Sequence, residues 1–152
     1  MTNEVITVMI ADDHALVREG IKQLLELEDD INVIAQAGNG EEAVDIALVY
    51  NPDVILLDIN MPKMNGIDTL RRLKDLGVSS KVIMLTIHED KEYLFETMKI
   101  GASGYVLKDS DADSLIMAIR VVKDGKTYIQ PSVSSMLIEN LSKKDKELNK
   151  NM

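Results

Sequence analysis

Short apolar runs alternate with stretches of helical spacing along the chain. VITVMIA (Val5–Ala11), INVIAQA (Ile31–Ala37), DVILLD (Asp53–Asp58), KVIMLT (Lys81–Thr86) and GYVLK (Gly104–Lys108) predict five strands. Several are apolar at consecutive positions, the pattern of a strand covered on both faces. Between them, Leu16–Leu27, Glu41–Tyr50, Ile67–Leu76 and Lys91–Ile100 carry helical spacing, and Asp111–Lys123 follows as a fifth helix. In that last helix Leu115, Ala118, Ile119 and Val122 fall at i, i+3, i+4 and i+7, one core-facing stripe. Gly101 and Gly125 stand just past the last two helices, where a left-handed cap favours glycine. Strand and helix repeated five times imply a parallel sheet with right-handed crossovers, a doubly wound α/β domain. Sites in such sheets form outside the carboxyl ends of the strands.

Those ends carry chemistry. The first strand runs into Asp12 and Asp13, the third ends on Asp58, the fourth on Thr86 and the fifth on Lys108. Each alone has an ordinary explanation: aspartate caps helices, threonine favours strands and lysine blunts a sheet edge. All five at the same rim of one sheet are harder to attribute to chance. Asp58 in particular ends an unbroken apolar run, VILLD, and is followed closely by Pro62 and Gly66.

Composition narrows the chemistry. At 45% apolar the 152 residues suffice for one real core. No cysteine is present, so thiolate metal sites and thiol nucleophiles are excluded, and a reducing cytoplasm fits. No apolar run approaches the roughly 18 residues of a membrane helix, and no basic flank marks a signal peptide. The expectation is a cytoplasmic protein without membrane contact. The net charge is −9. Residues 131–152 hold four lysines against three acids, leaving the first 130 residues at −10. Such a body repels nucleic acid, so this chain is expected to make no direct DNA contact.

Clustered carboxylates repel, and a divalent cation removes the conflict. An all-oxygen set suits Mg²⁺. Beside it Asp58 can act as a nucleophile forming an acyl phosphate, with Asp12 and Asp13 holding the metal. Lys108 then supplies charge to the phosphoryl oxygens and Thr86 a hydroxyl hydrogen bond.

The motifs DDH, DINMPKMNG, LTIH and GYVLK together make residues 4–125 resemble the receiver domain of bacterial two-component response regulators. DDHALVREGIKQLL, TIHED and the spacing to GASGYVLKD are most similar to its NarL/FixJ, LuxR-type branch, with DegU-like members. The resemblance implies a flavodoxin-like (βα)5 fold with a five-stranded sheet of order 2-1-3-4-5. Asp58 would accept a phosphoryl group from a sensor histidine kinase. Asp58 and the backbone carbonyl of Asn60 would join Asp12 and Asp13 around Mg²⁺, and Pro62 and Gly66 would shape the loop. Thr86 would move toward the phosphoryl group as Tyr105 turns inward behind it. The domain would be a phosphoacceptor switch, not an enzyme beyond self-phosphorylation and autodephosphorylation. Its helix 4, strand 5 and helix 5 region would control dimerisation and a C-terminal transcription output.

Two positions depart from many receivers. Asp109 replaces the proline after the active-site lysine, and a cis bond there would cost roughly 2.5–4 kcal/mol and is not assumed. Ile87 replaces a small residue after Thr86, and with His88 it is expected to gate access and slow dephosphorylation. Other features invite simpler readings. DSDADS (Asp109–Ser114) resembles a calcium loop, but Ser114 and Arg120 occupy the glycine and glutamate positions, so a helix start is expected. His14 lies beside the pocket, either tuning hydrolysis or simply at its rim. Met117 and Val121 point away from the core stripe, as ordinary surface residues or as a dimer face.

The receiver is expected to span 1–127. Residues 128–152 then form a linker helix and polar tail, with Val133, Met136, Leu137 and Leu141 on one side of Ser132–Leu141 and Pro131 in the first turn. No DNA-binding unit is expected within these residues, and a homodimer is expected on phosphorylation. A stand-alone receiver acting through protein contacts is the alternative. A phosphatase of the haloacid dehalogenase type fits less well, because Asp12, Asp13 and His14 do not form that family's D-x-D-x-T.

Overall fold

The computed structural model describes residues 4–87, 91–135, 138 and 139. In chain order the elements are β1 (Ile6–Ala11), α1 (Ala15–Leu25), β2 (Ile31–Ala37), α2 (Gly40–Tyr50), β3 (Val54–Asp58), α3 (Gly66–Asp75) and β4 (Lys81–Thr86). They continue with α4 (Lys91–Ile100), β5 (Gly104–Leu107), α5 (Ala112–Lys123) and β6 (Tyr128–Ile129). The sheet is parallel throughout in the order β2-β1-β3-β4-β5-β6. The order 2-1-3-4-5 is therefore present, and the five strands expected gain a sixth. That strand is only two residues long and lies within the segment expected to be linker. Its pairing escapes sequence reading because two residues show no periodicity.

The consecutive apolar positions are resolved by alternation between two layers. Met9, Ala11, Ile55, Leu57, Met84, Tyr105 and Leu107 face one core, shared with residues of α2, α3 and α4. Val8, Ile10, Val54, Leu56, Ile83, Leu85 and Val106 face the other, roofed by α1 and α5. The stripe Leu115, Ala118, Ile119 and Val122 is buried there, as the spacing predicts. Asn39, Asn65 and Asp111 cap α2, α3 and α5, each side chain accepting from the N–H three residues on at 2.9 Å. Asp111 thus starts a helix, in place of the calcium loop. Gly101 and Gly125 take φ of +111° and +87° past α4 and α5.

At the opposite end of the sheet from the carboxylates, Asp53 Oδ2 accepts from Thr7 N–H and hydroxyl at 2.9 and 3.1 Å. Lys123 of α5 reaches Asp53 Oδ1 at 3.0 Å, closing a pin across β1, β3 and α5. Residues 131–135, 138 and 139 are helical, and Val133 is fully buried against the first core. Met136, Leu137 and Leu141 of the predicted apolar side lie outside the described residues, as does the polar tail. Among the described residues no helix is long and apolar enough to cross a membrane.

Candidate functional site

The site is built at the carboxyl ends of β1, β3, β4 and β5. Asp12 directly follows β1 and is fully buried, whereas Asp13 projects into solvent. Asp58 closes β3 at 2% exposure, and Thr86, fully buried, closes β4. Lys108 follows β5, and its ammonium lies 2.8 Å from Asp12 Oδ2 and 3.2 Å from Asp58 Oδ2. The contact to Asp12 is an ion pair without a well-directed hydrogen bond, and Oδ2 has no hydrogen-bond partner among the described residues. Two of the expected carboxylates thus converge on the ammonium of a third expected residue. Thr86 stands one position beyond Leu85, the ladder partner of Asp58, with its hydroxyl donating to the Ile87 carbonyl at 3.2 Å.

The electrostatics follow from burial. Taking the Asp58 carboxyl out of water pushes it up to about 6; Lys108 opposes this and the Asp12 carboxylate adds to it. Burial pulls Lys108 down, but the two carboxylates outweigh that and hold it above its usual value. One ammonium among three acids leaves the pocket short of positive charge.

The loop after β3 is held by backbone. Asn60 N–H donates to Asp58 Oδ1 at 3.2 Å, Gly66 N–H to the Ile59 carbonyl at 2.7 Å, and Met64 N–H to the Pro62 carbonyl at 2.7 Å. A Cβ on Gly66 would lie 2.3 Å from the Asp58 carbonyl oxygen, so the turn needs glycine for space. Among the described residues, Asp12, Asp13 and His14 place ligand atoms within 4.8 Å of one another. The His14 ring nitrogen Nδ1 is 3.0 Å from Asp13 Oδ1 and 3.3 Å from Asp12 Oδ1. Asp58 stands outside that group and is joined to it through Lys108.

Arg18 carries no signal at helical or strand spacing from the acids, and sequence reasoning passed over it. From the first turns of α1 its Nη1 donates to the Asp12 carbonyl at 2.5 Å and its Nε to Gln36 Oε1 at 3.2 Å, pinning the peptide between Asp12 and Asp13. An open cleft of about 240 Å³ lined by Val17, Ile87, Lys108 and Asp109 adjoins the acids. No peptide bond among the described residues is cis, Lys108–Asp109 included. His88 lies outside the described residues.

Tyr105 is 1% exposed, and burial pushes its hydroxyl up to about 12. Among the described residues that hydroxyl has no hydrogen-bond partner, while the neighbouring Thr97 hydroxyl donates to the Leu94 carbonyl at 2.8 Å. On α5, Met117 is 56% exposed and Val121 half-buried, consistent with their place off the core stripe.

The donors are carboxylate and carbonyl oxygens with one imidazole, two of the carboxylates are buried, and the pocket holds fewer positive than negative charges. That set fits a hard divalent cation.

The sequence pattern of the response regulator receiver domain family matches residues 8–120. The transcriptional regulatory protein DegU of Brevibacillus brevis is 48% identical over 134 residues, covering 88% of this chain and 57% of its own length. The nitrate/nitrite response regulator NarP of Escherichia coli is 45% identical over 132 residues, covering 87% and 61%. The chain thus spans about three fifths of the length of these relatives. A LuxR-family two-component response regulator from an Aurantimonas species superposes with a TM-score of 0.85 at 28% identity, covering 91% of this chain and 99% of that one. The isolated receiver domain of RcsB from Salmonella enterica, with phosphomimetic BeF3−, gives 0.81 at 27%, covering 88% and 99%.

Proposed function

The chain belongs to the response regulator receiver domain family, in its NarL/LuxR-type branch, and from that premise we propose that Asp58 is its phosphoacceptor. A receiver of this branch is a signalling switch rather than a metabolic enzyme. The observation that carries the residue assignment is the Lys108 ammonium bridging two buried carboxylates, Asp12 at 2.8 Å and Asp58 at 3.2 Å.

A carboxylate oxygen of Asp58 attacks the phosphorus of a phosphohistidine on a sensor histidine kinase. The O–P bond forms as the P–N bond breaks, and the imidazole keeps the electron pair. Attack requires the ionised carboxylate, and with its acidity near 6 most of Asp58 is ionised at neutral pH. Lys108 holds that charge in place and later faces the phosphoryl oxygens. Thr86 turns its hydroxyl from the Ile87 carbonyl to a phosphoryl oxygen. Arg18 fixes the backbone from which Asp12 and Asp13 project. Mg²⁺, held by Asp12, Asp13, Asp58 and the Asn60 carbonyl, supplies positive charge at the phosphoryl oxygens when bound. His14 stands near enough to Asp12 and Asp13 to add a nitrogen ligand.

Tyr105 is already buried, the inward arrangement that accompanies the moved threonine in the switch reading. The change then reaches the helix 4, strand 5 and helix 5 face, with Met117 and Val121 as a homodimer surface. The output is a transcription-regulating, DNA-binding region beyond the part of the relatives that this chain covers, and the compartment is the cytoplasm.

The test is intact-protein mass after incubation with a small phosphodonor and Mg²⁺. One phosphoryl adduct is expected, absent from Asp58→Asn and without Mg²⁺. An adduct that survives in Asp58→Asn overturns the assignment.

A further inference from the structure

The chain does not leave the sheet freely after α5. Tyr128 N–H donates to the Ser103 carbonyl and Gln130 N–H to the Tyr105 carbonyl, each at 3.0 Å, so β6 pairs along the outer edge of β5. Alternate amides of β5 face inward and outward. Lys108 N–H donates inward to the Thr86 carbonyl at 2.8 Å, while Leu107 N–H points outward, past the end of the two-residue ladder. The Gln130 side chain takes the missing place: its Oε1 accepts from Leu107 N–H at 2.8 Å, with the residue only 9% exposed. The Gln130 carbonyl accepts in turn from Val133 N–H at 2.9 Å and Ser134 N–H at 3.0 Å, starting the helical turn at 131–135. Val133 is fully buried in the same layer as Leu94, Tyr105 and Leu107.

We infer that Gln130 is a positioning residue for Lys108, and that through it the acidic pocket and the helical segment from residue 131 respond to each other. The inference rests on the reading of Asp58 as phosphoacceptor. Lys108 directly follows Leu107, so the strand end that aims its ammonium is held from inside by the Thr86 carbonyl and from outside by the Gln130 amide. Any shift of Thr86 or Lys108 toward a phosphoryl group loads the Gln130 bond. Linkage then requires the reverse, that breaking the bond changes affinity at the pocket.

The test titrates beryllofluoride with Mg²⁺, a phosphoryl mimic, into the full chain and two variants, reading affinity by NMR and amide exchange at Leu107, Val133 and Ser134. Gln130→Met keeps the length of the side chain but loses the strong acceptor; Gln130→Glu keeps an oxygen at the same reach. The parent is expected to gain protection at Val133 and Ser134 when the mimic binds. Gln130→Met should bind it about five-fold more weakly, as loss of one buried hydrogen bond implies, and show no such gain. Gln130→Glu should stay near the parent. Equal affinity in parent and Gln130→Met overturns the coupling and leaves the phosphoacceptor reading intact. So does a Gln130→Glu protein as weak as Gln130→Met, which assigns the effect to packing. A folded parent that binds no mimic overturns both. Should Gln130→Met not fold, Val133→Ala loosens the same turn with the acceptor in place; weaker binding of the mimic supports the coupling and unchanged binding overturns it.

Discussion

Lys108 and Asp58 are 50 residues apart and meet at 3.2 Å, although their strands are not neighbours. β4 lies between them, so the lysine crosses the end of that strand to reach the carboxylate. The same ammonium also meets Asp12, from the strand on the far side of β3. One flexible cation therefore ties three strand ends together in a pocket otherwise dominated by acids.

The buried carboxyl of Asp58 makes stability depend on pH. Its ordinary value is 3.8 and burial pushes it up to about 6, so between those values the folded chain holds a proton that the unfolded chain has lost. This contribution is complete below the ordinary value, declines as pH rises through the folded value, and amounts to about 3 kcal/mol. Asp58→Asn removes it. Urea melts without divalent cation should show the variant gaining on the parent by about that amount from pH 4 to above 6. Saturating Mg²⁺ should narrow the gap by stabilising the ionised parent. A constant difference across the range would contradict the assignment.

Gly66 is required for space. Its added Cβ would meet the Asp58 carbonyl oxygen at 2.3 Å and Ile59 Cα at 2.6 Å, both backbone atoms that cannot turn aside. Gly66→Ala is expected to cost about 2–3 kcal/mol in chemical denaturation. The same variant should slow formation of the phosphoryl adduct, because one of the displaced atoms belongs to Asp58, the proposed acceptor.

Tyr105 buries a hydroxyl that has no hydrogen-bond partner among the described residues. Tyr105→Phe removes that polar atom and little else, so it should stabilise the fold by about 1–2 kcal/mol in urea melts. A destabilised variant would show that the hydroxyl finds a partner in solution.

Ile87 lines the cleft beside Lys108 and is 37% exposed; on the proposed reading it limits the approach of water to an acyl phosphate on Asp58. Ile87→Ala should lose its phosphoryl adduct a few-fold faster than the parent, followed by intact mass after removal of the donor. An unchanged lifetime would remove Ile87 from access control.

Much of this was legible in one dimension because a doubly wound sheet writes itself locally. Each buried strand is a short apolar run, each helix a stripe, and the residues that end the runs of β1, β3, β4 and β5 stand at one rim of the sheet. Asp12, Asp58, Thr86 and Lys108 could be picked out by that rule alone, and all four stand at the carboxyl ends of their strands. Arg18 and Gln130 could not. Arg18 acts on a backbone carbonyl six residues away, and Gln130 on a backbone amide 23 residues away. Neither partner leaves a mark on residue identity, since every residue but proline has that amide and every residue that carbonyl.

The sequence by itself determined the element order, the two-sided burial of the strands and the group of polar residues presented at one end, because hydrophobic periodicity and strand termini are local properties. Tertiary structure alone decided that Lys108 bridges Asp12 and Asp58, that Asp58 is buried enough to hold its proton to about 6, and that β6 with Gln130 ties the following chain to β5. These depend on distance and on the loss of water, and both arise only when segments far apart in the chain are packed against one another.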